Sequence, residues 1–476
     1  MSYCSPASSS FLNYIDESQL FSAIGGITFI TLTIFWYILR SYTFFDKHHI
    51  TARAVRPKAP FGNIKEVINQ NTSLYIYLWK YYNKFKRQGN KFGGFFLFLK
   101  PGILLVHPAL TYKILTDKKL FEDVSRKNQL ELEDSKKISK MFDKHALENL
   151  ILKFENLKSQ FIQNIGSDND PSWCIYNFLV ETSCTAFGFK FEKNLKSIVD
   201  RMVEEKTSSN LSHYFHLVYP YFVRKQTYKE LKIYVQAVID SRKKNDTREY
   251  DVIQNYIDFL NEDVPPDAEK LIIEEILDIF IDNIHQTYSA VSFCLYELAS
   301  NCEIQLDLIG EIRRFNKANI PINLSNSHQL IYLEAIVKET LRKYPPIPLV
   351  TKRPKRDYIN AEFDLKLPKS CLVFTSIFGI HHDPSSYLDP ESFDPDRFFE
   401  DNVKFLKPNT YIPFGVDYRK NIGFSMTLLH IKLCIFTILS SFKVSLTDER
   451  KTVKFDTKKL TTFPKEPLPL KFEEIK

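Results

Sequence analysis

Cysteine pairs at the spacing of metal or redox sites are missing from this 476-residue sequence. None of its seven cysteines forms a Cys-x-x-Cys pair, so neither a zinc knuckle nor a redox dithiol is indicated. A scattered, odd-numbered set is typical of free, mostly buried thiols in a reducing compartment. The seven are Cys4, Cys174, Cys184, Cys294, Cys302, Cys371 and Cys434.

The sequence also lacks a glycine-rich phosphate loop, a nucleophile elbow, an internal repeat and any low-complexity segment. Charge of one sign is not concentrated either, because the net charge of +7 is spread over 64 basic and 57 acidic residues. Such a diffuse charge suits a membrane surface or an acidic partner and does not indicate nucleic acid. We therefore expect no nucleic-acid partner. With 44% hydrophobic residues, the chain has the composition of a folded globular protein.

Charged residues are absent from residues 21–39, FSAIGGITFITLTIFWYIL. As a helix this stretch covers about 28 Å, close to the roughly 30 Å hydrocarbon core of a bilayer. A cleaved signal peptide and a buried core helix are the alternatives, but the stretch is long for a signal core and no basic segment precedes it. Basic residues follow it instead, which predicts a single transmembrane anchor with the downstream chain in the cytoplasm. They are Arg40, Lys47, Arg53, Arg56 and Lys58.

The anchor divides the chain into four predicted segments. We expect a short lumenal N-terminus over residues 1–20, the anchor over 21–39, a basic proline-containing linker over 40–63 and the folded body over 64–476. Two prolines and a glycine near its end make the linker a stiff spacer that breaks any helix.

Helical patterns dominate the body, mostly between residues 110 and 345. The run Ala268–Asn301 contains few helix breakers and predicts a helix of about 50 Å, long enough to cross a whole domain. A final helix is predicted over Phe424–Ser440, and two short strands around a turn at Lys100-Pro101-Gly102. We therefore expect a mainly α fold with small β-sheets, crossed by one long central helix.

Three motifs follow one another in the second half of the chain. Glu339 and Arg342 stand at i and i+3 on one predicted helix face, a spacing that also arises by chance. Arg397 follows within FDPDRF, and then comes PFGVDYRKNIG over residues 413–423. In this order and spacing the set resembles the signature of the cytochrome P-450 monooxygenases, and the surrounding residues are most similar to the microsomal, insect-type branch. The similarity is strong over residues 280–446 and weak over 108–270.

The resemblance implies a cytochrome P-450 fold, a haem cofactor, oxidation of lipophilic small molecules, electrons from a reductase and a place in the endoplasmic reticulum membrane. It further implies that Glu339, Arg342 and Arg397 form a buried structural charge cluster. Haem contacts are implied for the loop residues Phe414, Gly415, Arg419 and Gly423, and for Lys352, where the family usually has a propionate-binding arginine.

The same comparison shows where the sequence departs from the family. The position of the iron-binding cysteine is taken by Asn421, and a neutral carboxamide is a poor ligand for iron. Cys434 stands 13 residues later, about 20 Å along the following helix, and does not reach the same site. Asp417 replaces a loop glycine, and a side chain there strains the turn. Haem binding is therefore doubtful by this comparison.

The oxygen-pocket pattern of the long helix is altered as well. Asn283 stands in place of the glycine, His285 in place of the acid and Gln286 in place of the threonine, while Thr287 comes one position late, about 100° around the helix. His285 is an alternative iron ligand, although a helix histidine is more often a packed residue. The sequence thus favours a catalytically degenerate relative that binds a lipophile or a partner. An active haem enzyme with unusual ligation and a decaying gene product are the other two interpretations.

Overall fold

A computed structural model shows a mainly α protein with small β-sheets, and so confirms the predicted fold class. It describes residues 17–50, 52–124, 138, 141–166, 170–208, 214, 227–260, 266–317, 322–416, 423–448 and 453–475. The helices are α1 (Glu17–Tyr42), α2 (Phe44–Lys47), α3 (Lys65–Ile68), α4 (Leu74–Arg87), α5 (Pro108–Thr116), α6 (Lys144–Gly166), α7 (Pro171–Phe187), α8 (Lys193–Thr207), α9 (Thr227–Asn245), α10 (Val252–Leu260), α11 (Pro266–Ser300), α12 (Cys302–Lys317), α13 (Ile331–Lys343), α14 (Ile377–His381), α15 (Glu400–Val403) and α16 (Phe424–Ser441). The strands are β1 (Phe92–Leu97), β2 (Lys100–Leu105), β3 (Phe121–Asp123), β4 (Leu349–Pro354), β5 (Tyr358–Asn360), β6 (Leu365–Leu367), β7 (Leu372–Ser376), β8 (Phe442–Leu446) and β9 (Leu470–Glu474).

The largest sheet has the strand order β1-β2-β7-β4-β3. Its first hairpin corrects the predicted turn, because Leu97 pairs with Lys100 and only Phe98 and Leu99 connect the two strands. Phe98 takes the left-handed conformation, with φ of 52°, that a two-residue hairpin connection requires. The residues Lys100-Pro101-Gly102 therefore belong to β2, and the turn prediction was wrong by two residues.

The predicted linker lies against the outer edge of β1 rather than spanning free space. Ala54 N–H donates to the Gly94 carbonyl at 2.8 Å, and Gly94 N–H donates to Ala52 at 2.7 Å. Further along, Asn63 N–H donates to the Phe96 carbonyl at 2.9 Å. The linker thus supplies the hydrogen bonds that an edge strand otherwise lacks.

The central helix α11 runs through the main hydrophobic core, as its composition predicts. Ile276, Leu277, Phe280, Ile281 and Ile284 are fully buried on it. They pack in the same cluster as apolar side chains of α6, α7 and α16. Burial of each such side chain contributes about 1.5–3 kcal/mol, so this packing fixes where α11 lies relative to its neighbours.

Among the described residues, two helical segments are long and apolar enough to cross a membrane, Ile24–Tyr42 and Phe424–Ser441. The second, α16, is 72% buried and is a core helix of the body. The first is 0% buried and leaves its apolar side chains exposed along α1. Of these two described helices, α1 is the one that presents an apolar surface of the kind that a bilayer covers.

Candidate functional site

The side chains of Glu339 and Arg342, both on α13, meet that of Arg397. Arg342 makes a bidentate ion pair with Glu339, with Nε and Nη2 at 2.7 and 2.8 Å from the two carboxylate oxygens, and both side chains are fully buried. The Nε atom of Arg397 lies 3.4 Å from Glu339 Oε1. Two guanidinium groups share one buried carboxylate, and Arg397 keeps only 10% of its side chain exposed. In such a network each charge depends on the others.

The cluster also forms hydrogen bonds with the backbone of the segment that precedes the predicted cofactor loop, residues 413–423. Asp394 N–H donates to Glu339 at 3.0 Å, and Arg397 donates to the Asp389 carbonyl at 2.9 Å. Arg342 donates to the carbonyl of His381 at 3.0 Å, and His381 Nδ1 lies 2.9 Å from the Arg342 carbonyl. The other nitrogen of His381 accepts from Ile412 N–H at 3.0 Å. Since both ring nitrogens are engaged, His381 is a structural residue and is not available to a metal.

The predicted cofactor loop is described only at its two ends. Phe414 is buried and its ring centroid lies 4.9 Å from that of Phe424. Gly415 and Gly423 both adopt positive φ angles, 87° and 90°, which favour glycine. A Cβ atom at Gly423 would overlap the side chain of Ile279 on α11. Asp417, Arg419, Lys420 and Asn421 lie outside the described residues.

Asn283, at the oxygen-pocket glycine position, is buried at the junction of three helices. Its Nδ2 donates to Thr427 Oγ1 on α16 at 3.1 Å, and its Oδ1 accepts from Ser183 on α7 at 3.0 Å. His430, fully buried on α16, lies beside the same amide and is 2.7 Å from Thr182 Oγ1. Burial lowers the pKa of His430 to about 3, so this histidine is neutral.

The next positions on α11 form an ion-pair cluster with α8. Lys206 Nζ lies 3.0 Å from Asp278 and 2.8 Å from Asp282, and His285 Nε2 lies 3.0 Å from the same Asp282 oxygen. Burial raises the pKa of Asp282, but the Lys206 ammonium and the His285 hydrogen bond outweigh it and hold that pKa well below its ordinary value. Both Gln286 and Thr287 are buried.

The structure therefore brings together the predicted charge cluster of Glu339, Arg342 and Arg397. Lys352, at the propionate-binding position, lies on β4 and pairs with Asp123 at 3.2 Å. Sequence reasoning missed the partners Lys206, Asp278 and Asp282. The one signal for them was the i, i+4 spacing of the two aspartates, which places them on the same helix face.

Comparison with known proteins decides the family. The family model described as cytochrome P450 (written here P-450) matches residues 135–472, well over half of the chain. The chain belongs to the cytochrome P-450 family. The match begins upstream of the strongly similar region and therefore includes most of the weakly similar residues, from 135 onward.

Individual relatives agree with this assignment. The chain is 31% identical to "Probable cytochrome P-450 6a13" of Drosophila melanogaster over 245 residues, 51% of this chain and 50% of the relative. It is 31% identical to "Cytochrome P-450 3A27" of Oncorhynchus mykiss over 50% of this chain and 44% of that one. These matches span about half the length of each relative. With "Cytochrome P-450 6B1" of Papilio polyxenes the match covers 92% of this chain and 97% of the relative at 22% identity.

Family membership implies a haem cofactor and monooxygenase chemistry, so the state of the cysteines in the described core bears on this site. Burial raises the pKa of the Cys434 thiol well above its usual value, so this cysteine is a protonated core residue. Burial likewise raises the pKa values of Cys184, Cys294 and Cys371. Among the described residues, these four buried thiols are therefore not thiolate donors. The cation at the propionate position, Lys352, already has a carboxylate partner.

Proposed function

We propose that this chain is a membrane-anchored member of the cytochrome P-450 family that has lost thiolate-supported oxygen activation and acts by binding a ligand. The observation that carries the proposal is Asn421 at the position of the iron-binding cysteine. A carboxamide donates little electron density to iron and does not favour cleavage of the O–O bond as a thiolate does.

The central helix supports the same proposal. In active members a glycine, an acid and a threonine admit oxygen and deliver protons. Here Asn283 ties α11 to α7 and α16, and His285 is bound to Asp282. Because both side chains are held in these hydrogen bonds, neither is available to deliver a proton to bound oxygen. His285 is also a poor candidate for an iron ligand, because Nε2 is engaged and the only remaining ring nitrogen, Nδ1, is enclosed by protein.

The location that fits this role is the endoplasmic reticulum membrane, with the body on the cytoplasmic side. The exposed apolar helix α1 and the basic residues that follow it support this orientation. The partners we propose are the membrane and a lipophilic small molecule. A reductase is a partner only of a form that holds haem.

The test is the absorption spectrum of the purified full chain, oxidised and then reduced under carbon monoxide. The expected result is a protein with no haem, or with a haem that lacks the red-shifted band of thiolate ligation. The red-shifted band in wild-type protein would refute the proposal, because it requires a bound thiolate. A near-stoichiometric thiolate-haem signal would instead favour the active-enzyme interpretation.

A further inference from the structure

A surface groove lies where the apolar helix α1 meets the folded body. It has a volume of about 430 Å³, in the range of small-ligand sites, and is lined by Trp36, Leu39, Arg40, Thr43 and Lys47. All five residues are exposed, and Trp36 and Leu39 keep 55% and 52% of their surface. The groove is therefore open to whatever surrounds this end of α1.

Two cations line the groove without a carboxylate to neutralise them. The Arg40 guanidinium lies over the Trp36 ring, 5.0 Å from its centroid, and Lys47 stands in the last turn of α2. Neither cation has an ion pair with a carboxylate among the described residues. The one carboxylate of α2, Asp46, is already paired with Arg53 at 2.9 Å. The groove thus carries two uncompensated positive charges, which attract an anion.

The position of the groove along α1 indicates which anion is at hand. The apolar span ends at Tyr42, and Arg40 lies in the last turn of the helix. Trp36 precedes Arg40 by about one turn, and tryptophan is enriched at the headgroup level of membrane-spanning helices. When α1 spans a bilayer, both cations therefore lie at the level of the lipid phosphates. A guanidinium also matches the geometry of phosphate oxygens.

Contacts with the sheet hold the groove in one place relative to the body. The Tyr42 ring lies 5.0 Å from that of Phe96 on β1, and the Phe45 ring lies 4.7 Å from the same ring. Phe45 is only 1% exposed. Since Thr43 alone separates α1 from α2, these contacts fix the two helices that carry the cations. A molecule bound in the groove therefore contacts both the anchor and a segment packed on the body.

We infer that this groove binds the headgroup of a phospholipid with a net negative charge. Its phosphate oxygens accept hydrogen bonds from Arg40 and Lys47, and the upper part of its acyl chains contacts Trp36 and Leu39. A zwitterionic phosphatidylcholine fits less well, because its own trimethylammonium group meets the same two cations. This inference rests on the proposed membrane anchoring and names the class of lipid that this end of the anchor selects.

The experiment uses Trp36 as a reporter inside the groove. Full-length protein is reconstituted into phosphatidylcholine nanodiscs that contain the same minor fraction of brominated phosphatidylglycerol or brominated phosphatidylcholine, with bromine near the headgroup end of the acyl chains. The difference in emission between wild-type and Trp36→Phe protein isolates the quenching of Trp36. Salt at about 0.15 M screens charges more than about 8 Å away. Brominated phosphatidylglycerol is expected to associate with Trp36 at least about fivefold more strongly than brominated phosphatidylcholine; equal quenching would overturn the inference.

Variants then separate a site from general attraction to a charged surface. Arg40→Gln and Lys47→Gln should each lower the preference at least about twofold, and the double variant should abolish it. Arg56→Gln is the matched control, because it removes the same charge from an exposed linker residue outside the groove. If Arg56→Gln lowers the preference as much as Arg40→Gln, the whole basic segment attracts the lipid and the inference fails.

Two further outcomes identify which claim has failed. If an excess of soluble glycerol 3-phosphate removes the preference, the groove binds a soluble phosphate compound and the assignment to a lipid is wrong. If neither brominated lipid quenches Trp36, α1 does not enter the bilayer and the proposed membrane anchoring is refuted. Quenching by both lipids to the same extent leaves the anchoring intact and refutes only the groove as a headgroup site.

Discussion

Asn283 on α11 and Thr427 on α16 are joined by a hydrogen bond of 3.1 Å from Nδ2 to Oγ1, inside the helical core. Ser183 on α7 donates to the oxygen of the same amide at 3.0 Å. A residue at the position where active relatives have glycine thus connects three helices. A side chain used in this way stabilises the fold, and its loss leaves polar groups of two neighbours without partners.

Replacement of this amide should therefore destabilise the protein. Asn283→Ala is expected to lower the free energy of unfolding by about 1–3 kcal/mol, because Ser183 and Thr427 then remain buried without this partner. Urea denaturation followed by circular dichroism measures the change. Asn316→Ala is the control, since Asn316 is exposed on α12, and it should shift stability by less than about 0.5 kcal/mol. Equal effects of the two substitutions would contradict the structural role of Asn283.

The charge cluster predicts a larger loss. Glu339→Gln removes the carboxylate that faces Arg342 and Arg397, and leaves the fully buried Arg342 guanidinium without its counter-charge. We expect destabilisation of about 3–5 kcal/mol, seen as a lower midpoint of thermal unfolding or as loss of soluble protein. The same substitution at the exposed Glu303 should leave the midpoint unchanged. A folded Glu339→Gln protein with wild-type stability would show that the cluster does not support the fold.

Buried His430 predicts a dependence of stability on pH. Its pKa is about 3 in the folded protein, against 6.5 for an ordinary histidine, so between these pH values the unfolded chain binds more protons. Stability contributed by this residue is complete above pH 6.5 and falls by up to about 1.4 kcal/mol per pH unit as the pH drops towards 3.

This dependence is checked by unfolding free energies measured between pH 7 and pH 4. His430→Gln should reduce the slope relative to wild type, because glutamine does not titrate. His328→Gln, at an exposed position, should leave the slope as it is. An unchanged slope in folded His430→Gln protein would mean that His430 is protonated in the native state.

The loop substitution can be tested by reversing it. Asn421→Cys should restore a thiolate ligand, and with added haem the reduced carbon monoxide complex should then show the red-shifted band. Cys434→Ser in the same background is expected to change nothing in the spectrum, because Cys434 is a buried thiol of α16. If folded Asn421→Cys protein shows no such band, the defect lies in Asp417 or in the central helix. If Cys434→Ser removes the band, Cys434 and not residue 421 is the ligand.

The elements that local patterns specify were predicted well. The central helix was expected over Ala268–Asn301 and runs from Pro266 to Ser300. The last helix was expected to end at Ser440 and ends at Ser441. Long apolar periodicity and clear helix breakers fix such elements from neighbouring residues alone. The family could be predicted from the sequence for the same reason, since each of its motifs is a short continuous segment.

Contacts between distant segments were not predictable in this way. Lys206 and Asp282 are 76 positions apart in sequence, and no local pattern indicates that they meet. The hairpin turn was misplaced because Lys-Pro-Gly has turn-like chemistry, whereas the strand register places the turn at Phe98 and Leu99. Tertiary pairing thus overrode a local preference. The sequence showed that Asn283 replaces a glycine of the family pattern. Its connection of three helices depends on Ser183 and Thr427, which the sequence does not place beside it.

The linker that lies along β1 has a consequence for shortened forms of this protein. Residues 52–63 occupy the hydrogen-bonding edge of the five-stranded sheet. A chain that begins near residue 43 loses the apolar helix and keeps this cover. A chain that begins at residue 64 exposes the bare backbone of an apolar strand, which is a template for pairing with a second molecule. The predicted linker therefore protects this edge of the sheet from pairing with a second molecule.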